Sequence, residues 1–457
     1  MEKYDVLVIG SGSGMTIASN AVASGLETAV VEHGPMGGTC LNRGCIPSKM
    51  LLYPADVIAM IQEAKQLGID ANINSIDFTK IMNRMHRLVT EDSQHQGSAV
   101  EASPRIKWYK DTGEFVADYT MKVGNEVIKA KKIFIVSGAR TGIPPIKGIE
   151  TVNYLTSDTL LELESLPKEM IIIGGGYIAA EYGHFFTSMG TNVTVIQRNI
   201  RLVPEEEPEI SELLKEEMSK RMRIFTNHEV VEAKEKNGIK TVTAKDRETG
   251  EIKEFSAKSL LVAAGRVPNS DLVKPEKTGV ELDERGYVKV NEYLETSKKD
   301  IWAFGDAIGK QMFKHVANYE ADIAWHNSVH DHKTAVDYKA APHAVFSHPQ
   351  IASVGLTEAQ AKEQGYKIWV GKEHYKNTAK GAAMGNPKGF VKVIVEQETG
   401  KVLGGHIIGP FAPILIQEII NAMAVEGSTM MNIVKPMHIH PALPEVVLRA
   451  FGNLSEA

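Results

Sequence analysis

A strand, a glycine-rich loop, a helix and a second strand follow one another twice in this chain of 457 residues. The first copy spans residues 4–32, and the second begins near residue 169. In such a copy the glycines let the backbone turn tightly beside a pyrophosphate, which is held at the helix N-terminus. The repeat therefore predicts an α/β fold with two Rossmann-like dinucleotide-binding domains, which bind two nucleotides unless one copy has lost its site.

The loop of the first copy contains Gly10, Gly12 and Gly14, and Glu32 follows the second strand. A carboxylate at that position accepts hydrogen bonds from ribose hydroxyls. Met15 occupies the position of the third fingerprint glycine, which serves packing between helix and strand. We expect a slightly displaced helix rather than lost binding. A bare structural turn is the alternative, but the flanking strands and the terminal acid favour a nucleotide site.

The composition has no basic excess: 43% of the residues are hydrophobic, 24% are charged and the net charge is −6. We expect about two to four domains from the length, and no binding of nucleic acid. Apolar runs such as residues 132–136 are far shorter than the roughly 18 residues of a membrane span. Strand-like residues 4–9 follow the first methionine closely, so we expect a cytoplasmic protein with no signal peptide and no membrane attachment.

Only two cysteines occur in the chain, Cys40 and Cys45. On an ideal helix they would point about 140° apart, so bridging them requires a distorted turn, which Gly44 can supply. Pro47 suits a first helical turn and leaves Cys45 near the positive end of the helix dipole, where a thiolate is favoured and where Arg43 adds positive charge. A structural disulfide is unusual in a cytoplasmic chain, and no nearby ligands complete a zinc site. The pair therefore predicts thiol–disulfide redox chemistry.

Near the C-terminus a histidine and a carboxylate occur close together, at His440 and Glu445. Thiol–disulfide exchange needs a group that protonates the leaving thiolate and deprotonates the attacking thiol. A histidine oriented by a carboxylate can do both. A lone histidine is more often structural, which is what we expect for His438.

The segment from Gly37 to Lys49 resembles the active-site signature of the class I pyridine nucleotide–disulfide oxidoreductases, and the resemblance covers essentially the whole chain. It implies that the first copy binds FAD and the second NAD(P)H. By matching position, Cys45 would face the flavin as the charge-transfer thiolate, and Cys40 would attack the substrate disulfide. Lys49 matches the lysine near flavin N5, and Glu181 matches the glutamate that pairs with it.

Other segments carry the same resemblance. Residues 262–269, which include Gly265, resemble the segment that closes the nicotinamide domain, and residues 296–306 resemble the second FAD motif. The resemblance implies that Asp306 holds the ribityl chain of the flavin. Tyr177 matches an aromatic residue that covers the flavin in the glutathione reductase branch, with a core tyrosine as the alternative. The predicted cofactor-binding set also includes Gly38, Thr39 and Gly138.

The loop of the second copy contains Gly174 and Gly176. After the second strand, an NAD enzyme of this type has an acid that binds the 2′-hydroxyl of the ribose. Here the residue is Gln197, followed by Arg198 and Arg201, whose guanidinium groups can bind a 2′-phosphate. The sequence therefore favours NADPH, with NADH possible if the two arginines are only surface charges.

His440 and Glu445 match the family's catalytic dyad. The resemblance implies that this histidine reaches the active site of the other subunit, so we expect a homodimer. It also implies a division into four segments: the first part of the FAD domain (1–145), the NAD(P)H domain (146–268), a second FAD-binding part (269–335) and a C-terminal α+β dimerisation domain (336–457). No metal site is predicted.

The substrate is the hardest part to predict. The absence of a C-terminal cysteine pair disfavours a mercuric reductase. Met15 and residues 50–57, 154–159, 314–318 and 440–447 favour the mycothione reductase branch. We therefore expect reduction of a low-molecular-weight thiol disulfide. Oxidation of dihydrolipoyl groups with NAD⁺ is the first alternative, and a flavoprotein subunit without disulfide turnover is the second.

Overall fold

The computed structural model describes residues 1–457, which divide into two compact units. The first unit consists of Met1–Met50, Lys80–Gly142 and Gly265–Val336, and the second of Leu51–Thr79, Ile143–Ala264 and Asp337–Ala457. The predicted division at residues 145, 268 and 335 stays a prediction.

Up to residue 142 the chain forms β1 (Glu2–Ile9), α1 (Gly14–Ala23), β2 (Thr28–Val31), α2 (Gly38–Arg43), α3 (Cys45–Glu63), α4 (Phe78–Ala102), β3 (Ile106–Tyr109), β4 (Gly113–Ala117), β5 (Thr120–Val123), β6 (Glu126–Ile135) and β7 (Ala139–Thr141). Residues 143–264 form β8 (Glu169–Ile173), α5 (Tyr177–Met189), β9 (Asn192–Ile196), α6 (Pro208–Ser219), β10 (Arg223–Phe225), β11 (His228–Lys236), β12 (Ile239–Asp246), β13 (Ile252–Ala257) and β14 (Ser259–Val262).

Residues 265–336 form β15 (Arg266–Pro268), α7 (Ser270–Val273), β16 (Ile301–Ala303) and α8 (Lys314–Val329). The rest of the chain forms β17 (Pro342–Val345), β18 (Ile351–Gly355), α9 (Glu358–Glu363), β19 (Ile368–His374), α10 (Ala379–Ala383), β20 (Phe390–Glu396), β21 (Val402–Ile408), α11 (Ala412–Ala424), α12 (Met431–Val434), α13 (Glu445–Gly452) and β22 (Leu454–Glu456).

A seven-stranded sheet in the order β3-β2-β1-β6-β5-β4, with β16 beside β6, forms the core of the first unit. β1 pairs in parallel with both β2 and β6. Residues 6–9 of β1 are buried, as expected for a central parallel strand covered on both faces. α1 buries Gly14, Ile17, Ala18 and Ala21 at helical spacing, so one face packs inward. The predicted β-α-β pattern of the first copy is confirmed.

The second copy is built the same way in the second unit. Its parallel sheet has the order β10-β9-β8-β14, and a separate antiparallel sheet has the order β11-β12-β13. α5 begins directly after the glycine loop and ends at Met189, and the next residue, Gly190, has a φ of +105°, which suits a residue without a side chain. The predicted strand, helix and strand of this copy are therefore confirmed.

The C-terminal residues form a six-stranded sheet in the order β17-β18-β21-β20-β19-β22, in which every pairing is antiparallel. An apolar core beneath it includes residues of α11 and α13. The strand predicted within residues 389–395 and the helix predicted from residue 413 are both present. The fold class, α/β with a C-terminal α+β part, is confirmed.

One helical stretch, Gly38–Leu67, is by length and composition apolar enough to cross a membrane: an 18-residue window within it has a mean hydropathy of 1.2, and 39% of that window is buried. A single stretch of this kind is weak evidence of a membrane span, because core helices pass the same test. This stretch includes both cysteines.

Candidate active site

The first glycine loop lies between β1 and α1, and packing explains two of its three glycines. Gly10 has a φ of +106°, and a Cβ atom added there would lie 2.3 Å from the carbonyl oxygen of Val136. A Cβ atom added at Gly14 would lie 2.7 Å from Val8 Cγ1. At Gly12, by contrast, a Cβ atom would meet nothing within 4 Å, so the loop has an open face there. This is the form of a loop that receives a pyrophosphate at the helix N-terminus.

Glu32 follows β2 and is held by backbone and hydroxyl donors. Its Oε2 accepts hydrogen bonds from the backbone N (3.0 Å) and Oγ (2.9 Å) of Ser11, and its Oε1 accepts one from Gly34 N (2.8 Å). Each carboxylate oxygen can accept more than one hydrogen bond, so the carboxylate is oriented and can still bind ribose hydroxyls. The Ser11 hydroxyl also accepts a hydrogen bond from Gly37 N at 3.0 Å, which links the glycine loop to the cysteine segment.

The helix between the cysteines is broken, as predicted. α2 ends at Arg43, the next residue, Gly44, has a non-helical φ of −132° and ψ of −114°, and α3 begins at Cys45. A Cβ atom at Gly44 would lie 3.0 Å from Thr39 O. The break brings the two side chains together, and Cys40 makes a side-chain hydrogen bond to Cys45.

The two cysteines have different electrostatic surroundings. The hydrogen bond to Cys45, together with burial, raises the pKa of Cys40. Cys40 is partly buried, whereas Cys45 is exposed at the first residue of α3. A helix N-terminus favours negative charge. The hydrogen bond to Cys45 and burial thus disfavour the thiolate form of Cys40.

Lys314, which sequence analysis did not assign to the site, belongs to the same group. It is the first residue of α8, and its Nζ donates a hydrogen bond to Ser13 Oγ at 3.0 Å. Ser13 in turn donates to Asn318 Oδ1 at 2.9 Å. Burial lowers the pKa of Lys314, and its charge in turn lowers the pKa of Cys40. From the sequence, residues 314–318 indicate only the branch of the family, because nothing in their spacing points to the cysteines.

Gly38 packs the cysteine segment against the glycine loop. Its φ is +63°, and a Cβ atom added there would lie 2.7 Å from the Cα of Gly12. The next residue, Thr39, is exposed in the first turn of α2. Both residues were predicted to bind the flavin cofactor, and they lie next to the open face of the loop.

A second part of the candidate FAD site surrounds Asp306. Its Oδ2 lies 3.4 Å from Nε of Arg266, and burial raises the pKa of the carboxyl group. The Arg266 Nε is buried without a hydrogen-bond partner. Gly138 and Gly265 have φ values of +69° and +131°, and a Cβ atom at either would meet open space. A buried carboxyl group and an unsatisfied donor beside open backbone fit the hydroxyl groups of a dinucleotide.

The glycine loop of the second unit repeats these features. Gly174 has a φ of +119°, and a Cβ atom there would lie 2.1 Å from Ala263 O, while Gly176 faces open space. Gln197 is buried beneath the loop and donates from Nε2 to the carbonyl oxygen of Arg201 at 3.3 Å. The amide therefore holds the loop that carries the arginines. Arg198 is exposed, as a ligand for a phosphate would be.

Two predicted residues lie on α5. Tyr177 is its first residue and is 38% exposed, which goes against a core tyrosine. Glu181 is buried, and its Oε1 accepts a hydrogen bond from Phe346 N at 3.0 Å. Lys49 lies in the first unit, one turn after Cys45 on α3. The pairing of Lys49 with Glu181 stays a prediction.

The predicted dyad is present in the second unit. His440 Nδ1 lies 3.0 Å from Glu445 Oε1, and the hydrogen bond to His440 lowers the pKa of Glu445. The side chain of His440 is 69% exposed, whereas that of Glu445 is 12% exposed. His438 instead pairs with Glu418 at 3.1 Å and is 8% exposed, in keeping with a structural role.

Comparison with known proteins identifies the family. The sequence profile of the "Pyridine nucleotide-disulphide oxidoreductase" family matches residues 4–321, and that of its dimerisation domain matches residues 341–451. The chain belongs to this family. The resemblance inferred from the cysteine segment is thereby confirmed. The oxidoreductase is an FAD-dependent enzyme that uses a pyridine nucleotide.

The similarity to known proteins extends over nearly the whole length of this chain. The mycothione reductase of Mycobacterium tuberculosis (strain H37Rv) is 37% identical over 99% of this chain and 100% of the relative. The dihydrolipoyl dehydrogenase of a Synechocystis strain is also 37% identical, over 98% of each chain. Among solved structures, a Cu(II) complex of the HOCl-induced flavoprotein disulfide reductase RclA from Escherichia coli has a TM-score of 0.88, with 28% identity over 99% of each chain.

Proposed function

We propose that this oxidoreductase reduces a low-molecular-weight thiol disulfide with NADPH. The observation that carries the proposal is the nucleotide site of the second unit. Gln197 stands where an acid would bind the 2′-hydroxyl of NADH, and Arg198 and Arg201 follow it. Reductases that maintain thiols use NADPH, whereas a catabolic dehydrogenase uses NAD⁺. The identity of 37% is the same for a mycothione reductase and a dihydrolipoyl dehydrogenase, so the comparisons support only the disulfide reductase class.

FAD, when bound, supplies two-electron transfer between the reduced nicotinamide and the Cys40–Cys45 disulfide. In the first unit, Glu32 orients the ribose, Asp306 and Arg266 bind hydroxyl groups, and the glycine loop receives the pyrophosphate. In this proposal Tyr177 would cover the flavin until the nicotinamide arrives, and Lys49 would pair with Glu181 near the flavin. The aromatic ring of Tyr177 suits a cover, and the charges of Lys49 and Glu181 suit an ion pair.

The two cysteines act in order. The Cys40 thiolate attacks one sulfur of the substrate disulfide, which forms a mixed disulfide and releases one thiol. Cys45 then attacks the Cys40 sulfur, so the second thiol leaves and the Cys40–Cys45 disulfide is restored. One NADPH and one proton thus convert one disulfide into two thiols. His440 removes the proton from Cys40 and gives it to the departing thiolate, while Glu445 orients its ring.

In this proposal His440 serves Cys40 of the partner subunit in a homodimer. Two observations support it: the ring is 69% exposed within its own chain, and the family's dimerisation domain covers residues 341–451. A monomeric variant would then lose disulfide turnover but still accept hydride from NADPH. A cytoplasmic location remains part of the proposal.

The decisive experiment is a steady-state panel of NADPH and NADH against mycothiol-type, CoA and glutathione disulfides and lipoamide. We expect NADPH with one small thiol disulfide to give a kcat/KM at least about tenfold above every other combination. Preference for lipoamide with NADH, which is the reverse of dihydrolipoamide oxidation, would establish the alternative. Equal and low rates with all substrates would contradict both.

A second experiment tests the cysteine roles. In the parent, anaerobic two-electron reduction should open the Cys40–Cys45 disulfide and produce a long-wavelength thiolate–flavin absorption band. Cys40→Ser, which has no disulfide to reduce, should show this band before any reductant is added, and Cys45→Ser should not show it. A Cys45→Ser protein with full disulfide turnover would overturn the mechanism and revive a subunit without disulfide chemistry.

A further inference from the structure

Two histidines and two carboxylates meet in a cluster of the second unit that the proposed mechanism does not use. The cluster consists of Asp56, Glu63, His184 and His348. Candidate ligand atoms of Asp56, His184 and His348 all lie within 4.8 Å of one another. His184 Nε2 is 3.0 Å from Asp56 Oδ1, and His348 Nε2 is 2.7 Å from Glu63 Oε1. The imidazole rings stack with centroids 5.4 Å apart.

Three separate segments supply these residues. Asp56 and Glu63 lie about two turns apart on one face of α3, and His184 lies on α5. His348 lies in the connection between β17 and β18. The side chain of His184 is 1% exposed, whereas those of Asp56 and His348 are 32% and 31% exposed. The cluster thus has a buried wall and a side that is open to solvent, through which an ion can enter.

The distances and ligand types suit a tetrahedral cation. Zn²⁺ binds imidazole nitrogen and carboxylate oxygen at about 2.0–2.2 Å, which places the ligand atoms roughly 3.3 Å from one another. The observed separations are 2.7 Å between His348 Nε2 and Glu63 Oε1 and 3.0 Å between His184 Nε2 and Asp56 Oδ1. The ligand atoms of Asp56, His184 and His348 are at most 4.8 Å apart, so the observed values bracket the expected one. Small side-chain rotations would therefore bring the ligands into place.

Arg221 opposes cation binding and makes the inference testable. Its NH1 is 3.1 Å from His184 Nδ1, and its NH2 donates to Ser188 Oγ at 2.7 Å. When Nε2 of His184 binds a metal, Nδ1 must carry the proton and needs an acceptor. Ser188 Oγ, 3.3 Å from Nδ1, is in place to accept it. The contact between Arg221 NH1 and His184 Nδ1 is then lost, so Arg221 lowers the affinity for the cation without blocking the site.

We propose that Asp56, His184 and His348, with Glu63 as the fourth ligand, bind a divalent cation of the Zn²⁺ class. The ion would tie α3 and α5 to the connection between β17 and β18. The site is distinct from the cysteine pair, and it does not depend on the proposed substrate.

Isothermal titration of the full-length, FAD-loaded Cys40→Ser/Cys45→Ser protein with ZnCl₂ tests the proposal, because thiol binding of zinc is then removed. We expect one Zn²⁺ per chain. Asp56→Asn and His348→Gln should each weaken binding by about 10- to 100-fold, and Arg221→Met should strengthen it. His95→Gln, which changes an exposed histidine of α4, should bind like the parent. Co²⁺ should show the visible absorption of a tetrahedral site.

No binding up to about 1 mM Zn²⁺ would overturn the proposal and leave the cluster as histidine–carboxylate hydrogen bonds. Unchanged affinity in Asp56→Asn and His348→Gln would overturn it as well. Circular dichroism and the metal-free melting temperature show whether each variant is folded. If either of these variants fails to fold, Glu63→Gln gives the same test, because Glu63 is 55% exposed. Zn²⁺ should raise the melting temperature of the parent and not that of the ligand variants.

Discussion

The carboxylate of Glu445 lies 3.0 Å from the imidazole of His440, measured from Oε1 to Nδ1. Its other oxygen accepts a hydrogen bond from Ala442 N at 3.2 Å. One oxygen is thus anchored to the backbone, and the other sets the direction of an exposed ring. The hydrogen bond to His440 also lowers the pKa of Glu445, so the carboxylate keeps its charge well into acid.

Glu445→Gln should lower the turnover of the disulfide by roughly 10²-fold, because it leaves the histidine without a charged group that orients it. Flavin reduction by NADPH, followed by stopped flow, should stay within about twofold of the parent, since the dyad has no part in hydride transfer. An equal loss in both half-reactions would show that the substitution acts on the fold and not on proton transfer.

Lys314→Met should raise the pKa of Cys40, because it removes a nearby positive charge that lowers it. The pH midpoint for alkylation of the reduced enzyme by iodoacetamide, read at Cys40 by mass spectrometry, should move upward. Lys314→Arg should restore much of the effect. Lys289→Met, at an exposed lysine of the same unit, should leave the midpoint unchanged. A midpoint that does not move in Lys314→Met would exclude an electrostatic role.

Replacement of both Arg198 and Arg201 by alanine should raise the KM for NADPH by roughly 10- to 100-fold, because charge-assisted hydrogen bonds to the 2′-phosphate are lost. The KM for NADH should change by no more than about twofold. Arg223→Ala, at an exposed arginine of β10, is the matched control. An equal rise in the KM for both nucleotides would show that the arginines shape the loop and do not bind the 2′-phosphate.

Lys392→Met should destabilise the second unit by about 3 kcal/mol, because it removes a buried cation that three carboxylates share. Nζ of this buried lysine lies 3.0, 2.9 and 2.8 Å from carboxylate oxygens of Glu207, Glu209 and Glu358. Chemical denaturation at pH 7 measures the change. Lys401→Met, at an exposed position just before β21, should have little effect.

The same cluster predicts a pH dependence. Hydrogen bonds from Lys362 and Lys392 lower the pKa of Glu358 below its ordinary value of 4.5. A carboxylate with a depressed pKa stabilises the fold above pH 4.5, and its contribution disappears as the pH falls through the lowered value. The stability difference between Lys392→Met and the parent should therefore be largest at neutral pH and shrink below about pH 4.5. A constant difference would mean that lost packing, not charge, causes the change.

Local features of the chain predicted most of the fold. The apolar runs of β1 and β8, the glycines after them and the small residues of α1 act over a few neighbouring positions, so their pattern can be read along the sequence. The helix break at Gly44 was predicted for the same reason, since two cysteines five positions apart cannot meet on a regular helix. The contacts of Ser11 and Arg266 in the site were not predicted, because a single serine or arginine in a loop forms no sequence pattern that indicates a contact.

The sequence by itself determined that the chain has two dinucleotide loops, a redox pair on either side of a broken helix and a histidine with its carboxylate, because each depends on residues that are close together along the chain. Only the tertiary structure decided that Lys314 lies near Cys40 and donates a hydrogen bond to Ser13, and that Asp56 meets His184 and His348. His184 and Asp56 lie 128 positions apart along the chain, and Lys314 and Ser13 lie 301 positions apart. Sequence spacing carries no information about such contacts, because the packing of whole elements sets the distance.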